Sequence, residues 1–109
     1  MIKLSALAVF IFLALSVVSS AADSKANWSE YCAKCHGLDA KGQTKQGKKL
    51  KMRDYTDPAI QANFTDEQAL TAIKQGLTDK NGKFRMHVKE GLSEDEMKAL
   101  VAYLRTLKR

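Results

Sequence analysis

The sequence predicts an all-α fold of three to five helices, and three features carry that reading. Two segments open with a capping-box signature, Thr65-Asp66-Glu67-Gln68 and Ser93-Glu94-Asp95-Glu96, and each runs into apolar residues at helical spacing. No stretch alternates apolar and polar residues in the manner of a strand. No βαβ pattern surrounds the two cysteines, which stand three positions apart at Cys32 and Cys35. At 109 residues there is room for one domain, and no repeat, low-complexity run or linker divides it.

Residues 1–22 differ from the rest. Lys3 gives a positive start, Leu4 to Val18 is apolar except for Ser5 and Ser16, and Ser19-Ser20-Ala21-Ala22 is uniformly small. This is the layout of a secretory signal peptide, with cleavage expected between Ala22 and Asp23. An uncleaved anchor is the alternative, but an apolar run of about fifteen residues falls short of the roughly twenty that span a bilayer. Residues 23–109 then form the domain, without stable membrane insertion.

The first helix of that domain is expected from about Ser24 into the cysteine pair, with Trp28, Tyr31, Cys32 and Cys35 at helical spacing. A long basic loop follows from Gly37 to Arg53, bending at Gly42 and Gly47. Asp57-Pro58 suits the start of a short helix, because proline is favoured at the first helical position. The helix capped by Thr65 carries Leu70, Ile73 and Leu77 on one face and stops near Gly76. Asn81-Gly82 marks a turn. The last helix starts at Ser93 with acids at its positive end, carries Met97, Leu100, Val101, Leu104 and Leu107 as an apolar stripe, and ends in Arg105, Lys108 and Arg109.

So short a domain buries little surface and needs a staple. Cys32-Ala33-Lys34-Cys35-His36 supplies one, because C-x-x-C-H is the attachment sequence for c-type haem. Two intervening residues put both sulfurs on one side of a helical turn, within reach of the two vinyl groups on one porphyrin edge. His36 is then aimed at the iron as its proximal ligand. A structural zinc site would need four closed ligands, and the only further cysteine or histidine is His87. A simple disulfide or a thioredoxin-like pair is the remaining alternative, and the latter needs the βαβ setting that is missing.

With these residues in view, the chain resembles the class I c-type cytochromes over essentially its whole domain. The matching features are a helix leading into Cys32-Ala33-Lys34-Cys35-His36-Gly37, a glycine-punctuated loop, a methionine before the end, and a terminal Leu100-Val101-Ala102-Tyr103-Leu104 helix. The resemblance implies one covalently attached haem c held by Cys32, Cys35 and His36. It also implies that the first and last helices cross beside the haem, with Trp28 or Tyr31 meeting Tyr103 and Leu104. A methionine in the loop before the last helix is the family's sixth iron ligand, and Met86 stands there, seven residues ahead of the Ser93 cap. Met97 belongs to the buried stripe, and Met52, between Lys51 and Arg53, suits a polarizable filler of the pocket. Two positions depart from the family pattern. His87 follows Met86 where proline is frequent, which opens a bis-histidine alternative. Lys48 follows Gly47, again in place of a frequent proline; in the family the carbonyl there accepts a hydrogen bond from the proximal histidine.

The resemblance implies a non-enzymatic one-electron carrier working between a donor and an acceptor among larger redox proteins; the signal segment makes it periplasmic or otherwise exported, and a monomer is expected. The alternatives are a peroxidase or gas sensor with an open sixth site, and a bound subunit of a larger oxidoreductase. The chain has 18 lysines and arginines against 12 acids, a net charge of +6. Lys41, Lys45, Lys48, Lys49, Lys51 and Arg53 form one acid-free stretch, and Lys80, Lys83, Arg85 and Lys89 bracket Met86. Such a rim would steer acidic docking surfaces; a merely solvated lysine face is the plain alternative. Export and the lack of interleaved aromatics argue against nucleic acid.

Overall fold

Six helices and one short hairpin are described in the computed structural model, which covers Ile11, residues 21–86 and residues 90–109. The expected signal segment, apart from Ile11, Ala21 and Ala22, lies outside the described residues, as do His87 and Lys89. In chain order the helices are α1 (Ala21–Tyr31), α2 (Ala33–His36), α3 (Lys45–Leu50), α4 (Pro58–Gln61), α5 (Asp66–Gln75) and α6 (Glu94–Thr106). The strands β1 (Leu77–Thr78) and β2 (Phe84–Met86) pair antiparallel around the Asn81-Gly82 turn.

The fold is all-α as expected, and the helix number exceeds three to five for local reasons. The first helix breaks at Cys32, whose φ of −121° leaves the helical region before α2 resumes. α3 stands inside the stretch expected to be loop, started by Thr44, whose hydroxyl accepts from the Gly47 N–H at 2.8 Å. The hairpin is likewise more regular than the expected loop. Leu77 belongs to β1 rather than to the face of α5, because Gly76 takes a φ of 73° and ends the helix one residue earlier.

The other helix starts follow their sequence signals. Asp57 caps α4 through the Ala59 N–H at 2.9 Å, with Pro58 in the first turn. Thr65 and Gln68 close a reciprocal capping box on α5, at 3.1 and 2.9 Å. Ser93 and Glu96 do the same on α6, at 3.1 and 3.0 Å.

The core sits where α1 and α5 pack on α6. Its buried apolar members among the described residues are Trp28, Cys32, Ala40, Ile73, Leu100 and Val101, with Met97 and Leu104 partly buried against them. The Trp28 and Tyr103 rings meet at 5.9 Å, which is the crossing of first and last helices that the resemblance implies. Leu100, 1% exposed, is worth about 1.5–3 kcal/mol by burial, and few side chains here match it. So small an apolar core leaves much of the stabilisation to whatever fills the space beside it.

One guanidinium holds the back of that space. Arg105 of α6 donates to the Asp66 carboxylate at 2.8 Å, the Phe64 carbonyl at 2.8 Å, and the Gln61 carbonyl and side-chain oxygens at 2.5 and 3.1 Å. It also lies 4.3 Å over the Phe64 ring. The buried Gln61 amide then donates to the Tyr55 carbonyl at 2.6 Å and the Leu104 carbonyl at 2.9 Å. The turn between α4 and α5 is thereby fastened to α6.

Candidate functional site

The cysteine pair and His36 are presented by α2 and its N-cap Cys32, a single turn whose last two carbonyls find donors. A helix end leaves its last carbonyls without partners inside the helix. Here the Cys35 carbonyl accepts from the Thr44 hydroxyl at 2.6 Å, and the His36 carbonyl from the Gly42 N–H at 2.8 Å. The Gly37 carbonyl accepts from the Trp28 indole N–H at 2.9 Å in a buried contact. Gly37 permits this exit from the helix: its φ of 85° and ψ of 156° belong to a region that side chains with a Cβ avoid. Gly47 permits the close approach of α3. A Cβ there would stand 2.6 Å from the Cys35 carbonyl oxygen and nearer still to that of Gly42.

Two aromatic side chains fix the His36 ring. The Trp28 ring lies 5.7 Å away at 38°, and Tyr55 approaches edge-on at 5.4 Å and 69°. Tyr55 is in turn edge-on to Phe64 at 5.7 Å. Sequence reasoning passed over Tyr55, Gln61 and Phe64, and read Arg105 only as a cation at the end of its helix. One signal was available: Arg105 stands four residues after Val101 on the apolar side of α6, where a cation has to be paired.

Two cavities flank α2. One, of about 310 Å³, is walled mainly by apolar side chains, among them Ile60, Phe64, Ala69, Ile73 and Leu100. The other, of about 270 Å³, is bounded by Tyr31, Cys35, Met52, Phe84 and Arg85 among others. Among the described residues, Cys32, His36 and Met86 line both. Met52 reaches the second cavity only, and Met97 packs on the core. The structure therefore brings together the thiols, the imidazole and one thioether from the end of β2. Of the basic residues, Arg53 lines the first cavity, while Lys49, Lys83 and Arg85 line the second. The Lys48 carbonyl accepts from the Lys51 N–H at 3.2 Å at the end of α3.

The donor set decides what this space can hold. Among the described residues no three of His, Cys, Asp and Glu cluster closely enough to bind a bare metal ion. Two thiols, one imidazole and one thioether beside a cavity walled mainly by apolar side chains suit a flat apolar group that brings its own metal. The sequence profile of the family described as cytochrome c matches residues 21–108. The chain belongs to the cytochrome c family. Cytochrome c-554(547) of Halothiobacillus neapolitanus is 34% identical over 91 residues, a match covering 81% of this chain and 97% of that one. The solved structure of the KustC0563 c-type cytochrome superposes with a TM-score of 0.66 at 31% identity, covering 79% of this chain and 98% of that one. The cofactor of the cytochrome is accordingly covalently attached haem c, and the space beside α2 fits it: an apolar wall in the first cavity for the ring, Cys32 and His36 where the two cavities adjoin, and Cys35 at the second. Among the described residues no helix is long and apolar enough to cross a membrane.

Proposed function

We propose that the cytochrome is a monomeric one-electron carrier between larger redox proteins, exported to the periplasm after removal of residues 1–22. In this reading Cys32 and Cys35 form the two thioethers, His36 is the proximal iron ligand and Met86 the distal one. Bound haem supplies a ferric–ferrous couple; the remaining work belongs to the chain. Trp28 and Tyr55 keep the His36 ring from rotating, and Thr44, Gly42 and Trp28 lock the turn that carries it. Met86 presents a thioether, a donor that favours the lower iron charge and raises the potential. The apolar wall formed by Ile60, Phe64, Ile73 and Leu100 excludes water and pushes the same way. His36 and Met86 would both hold the iron, and small molecules would then find no open coordination position, which would separate a carrier from a peroxidase or gas sensor.

The observation that carries this reading is that, among the described residues, Cys32, His36 and Met86 are the ones that line both cavities. Its test is expression with a haem-maturation system, followed by pyridine haemochrome and visible spectra of the wild type and Met86→Ala. Wild type should show haem with both vinyl groups saturated and a low-spin ferric spectrum with the weak far-red band of methionine ligation. Met86→Ala should lose that band and gain high-spin features. Retention of the band in the variant would move the ligand to Met52, the other methionine at the cavities.

A further inference from the structure

Arg85 holds an irregular place in the hairpin. Leu77 faces Met86 and Thr78 faces Phe84, so one step along β1 is met by two along β2, and Arg85 is the extra residue of a bulge. A bulge leaves its extra residue out of the ladder, bends the strand and re-aims the side chain. The Arg85 guanidinium accordingly leaves the hairpin and donates through Nη2 to the Leu50 carbonyl at 2.5 Å. Leu50 is the last residue of α3, and its carbonyl is one of those the helix cannot satisfy internally.

The bond joins residues 35 apart in sequence, both of which line the second cavity. On one side it holds α3, whose backbone rests on the Cys35 carbonyl through Gly47 and Thr44. On the other it holds β2 at the residue immediately before Met86. The thioether and the imidazole are thus carried by two parts of the chain that this single guanidinium connects.

We infer that Arg85 is a positioning residue for Met86: its bond to the Leu50 carbonyl sets how readily an outside ligand displaces the thioether from the iron. The inference rests on the axial role proposed for Met86. Without the tie, the bulged strand is free to swing, and the thioether competes less well for its place. A guanidinium–carbonyl bond is charge-assisted and planar, so lysine, a compact cation with a different reach, restores it only in part.

The test is an imidazole titration of the ferric, fully matured protein, read from the Soret shift and loss of the far-red band. Arg85→Ala should bind imidazole about tenfold more tightly than wild type, with Arg85→Lys in between. Lys83→Ala, which removes a neighbouring cation from the same cavity wall, should match wild type. In a Met86→Ala background, adding Arg85→Ala should leave imidazole affinity unchanged, because the residue through which it acts is gone. Equal effects of Lys83→Ala and Arg85→Ala would reduce the matter to surface charge and overturn the inference. An equal gain from Arg85→Ala with and without Met86 would overturn it as well. If Met86→Ala alone leaves both spectrum and affinity as in wild type, the axial reading itself fails and the inference falls with it.

Discussion

Gly47 sets two physical tendencies against each other. It sits inside α3, where alanine is favoured over glycine by roughly 1 kcal/mol in helix propensity. Yet a Cβ would collide with the carbonyl oxygens of Gly42 and Cys35, both backbone atoms that cannot rotate aside. Overpacking of this kind costs about 1–3 kcal/mol, so the collision wins. Gly47→Ala should lower the denaturant midpoint of the haem-loaded protein with an unchanged slope; a raised midpoint would show that α3 has room to shift. Trp28 illustrates a similar doubling of roles. Its spacing marks it as a core residue, and its ring does meet Tyr103, but its indole N–H also closes the Gly37 carbonyl behind the attachment turn. That second role depends on a tight loop geometry that periodicity does not encode.

The helix caps tie stability to pH. The Glu96 carboxylate closes the α6 capping box with Ser93 and also accepts from Asn27 of α1 at 3.2 Å. Hydrogen bonds from the Ser93 backbone, the Ser93 side chain and Asn27 hold its pKa below the ordinary 4.5. Glu94, bonded to Lys74 of α5 at 2.7 Å, is depressed in the same direction. A carboxylate depressed on folding binds protons more readily in the unfolded chain, so its contribution is present above the ordinary value and lost as pH falls through the folded one. Thermal unfolding midpoints should therefore drop below pH 4.5, and Glu96→Gln, which keeps an acceptor but cannot titrate, should flatten that drop. At this scale much was legible in the sequence. The caps at Asp57, Thr65 and Ser93 start helices where their side-chain chemistry requires. α3 was not, because Lys45-Gln46-Gly47-Lys48-Lys49-Leu50 has no apolar period and a glycine in its middle. It exists because Thr44 and Gly47 dock on the attachment turn. The hairpin escaped notice for a related reason: strands of two and three residues are too short to alternate. At the site itself the thiols, the imidazole and Met86 line one cavity, with Met86 ending a strand where a loop was expected, whereas the supporting roles of Tyr55, Gln61 and Arg105 depend on partners 19 to 44 positions away where the bonds are longest in range.

Over the whole molecule the net charge of +6 is not spread evenly in effect, because Lys49, Arg53, Lys83 and Arg85 border the cavities themselves. Oxidation of the reduced protein by ferricyanide should slow as salt rises, while a cationic cobalt complex should respond in the opposite sense. Each dependence should level off once screening falls below about 10 Å, near 0.1 M salt. A flat response to both reagents would remove charge steering from the mechanism. The two sides of the crevice also differ in how they are fastened. Behind Phe64, Arg105 grips Gln61, Phe64 and Asp66 together, so that side moves as one piece with α6 or stays shut. Across from it, an arginine-to-carbonyl bond ties the hairpin to α3. An incoming small molecule is therefore expected to meet the more heavily bonded wall at Arg105 as a frame and to enter from the hairpin side.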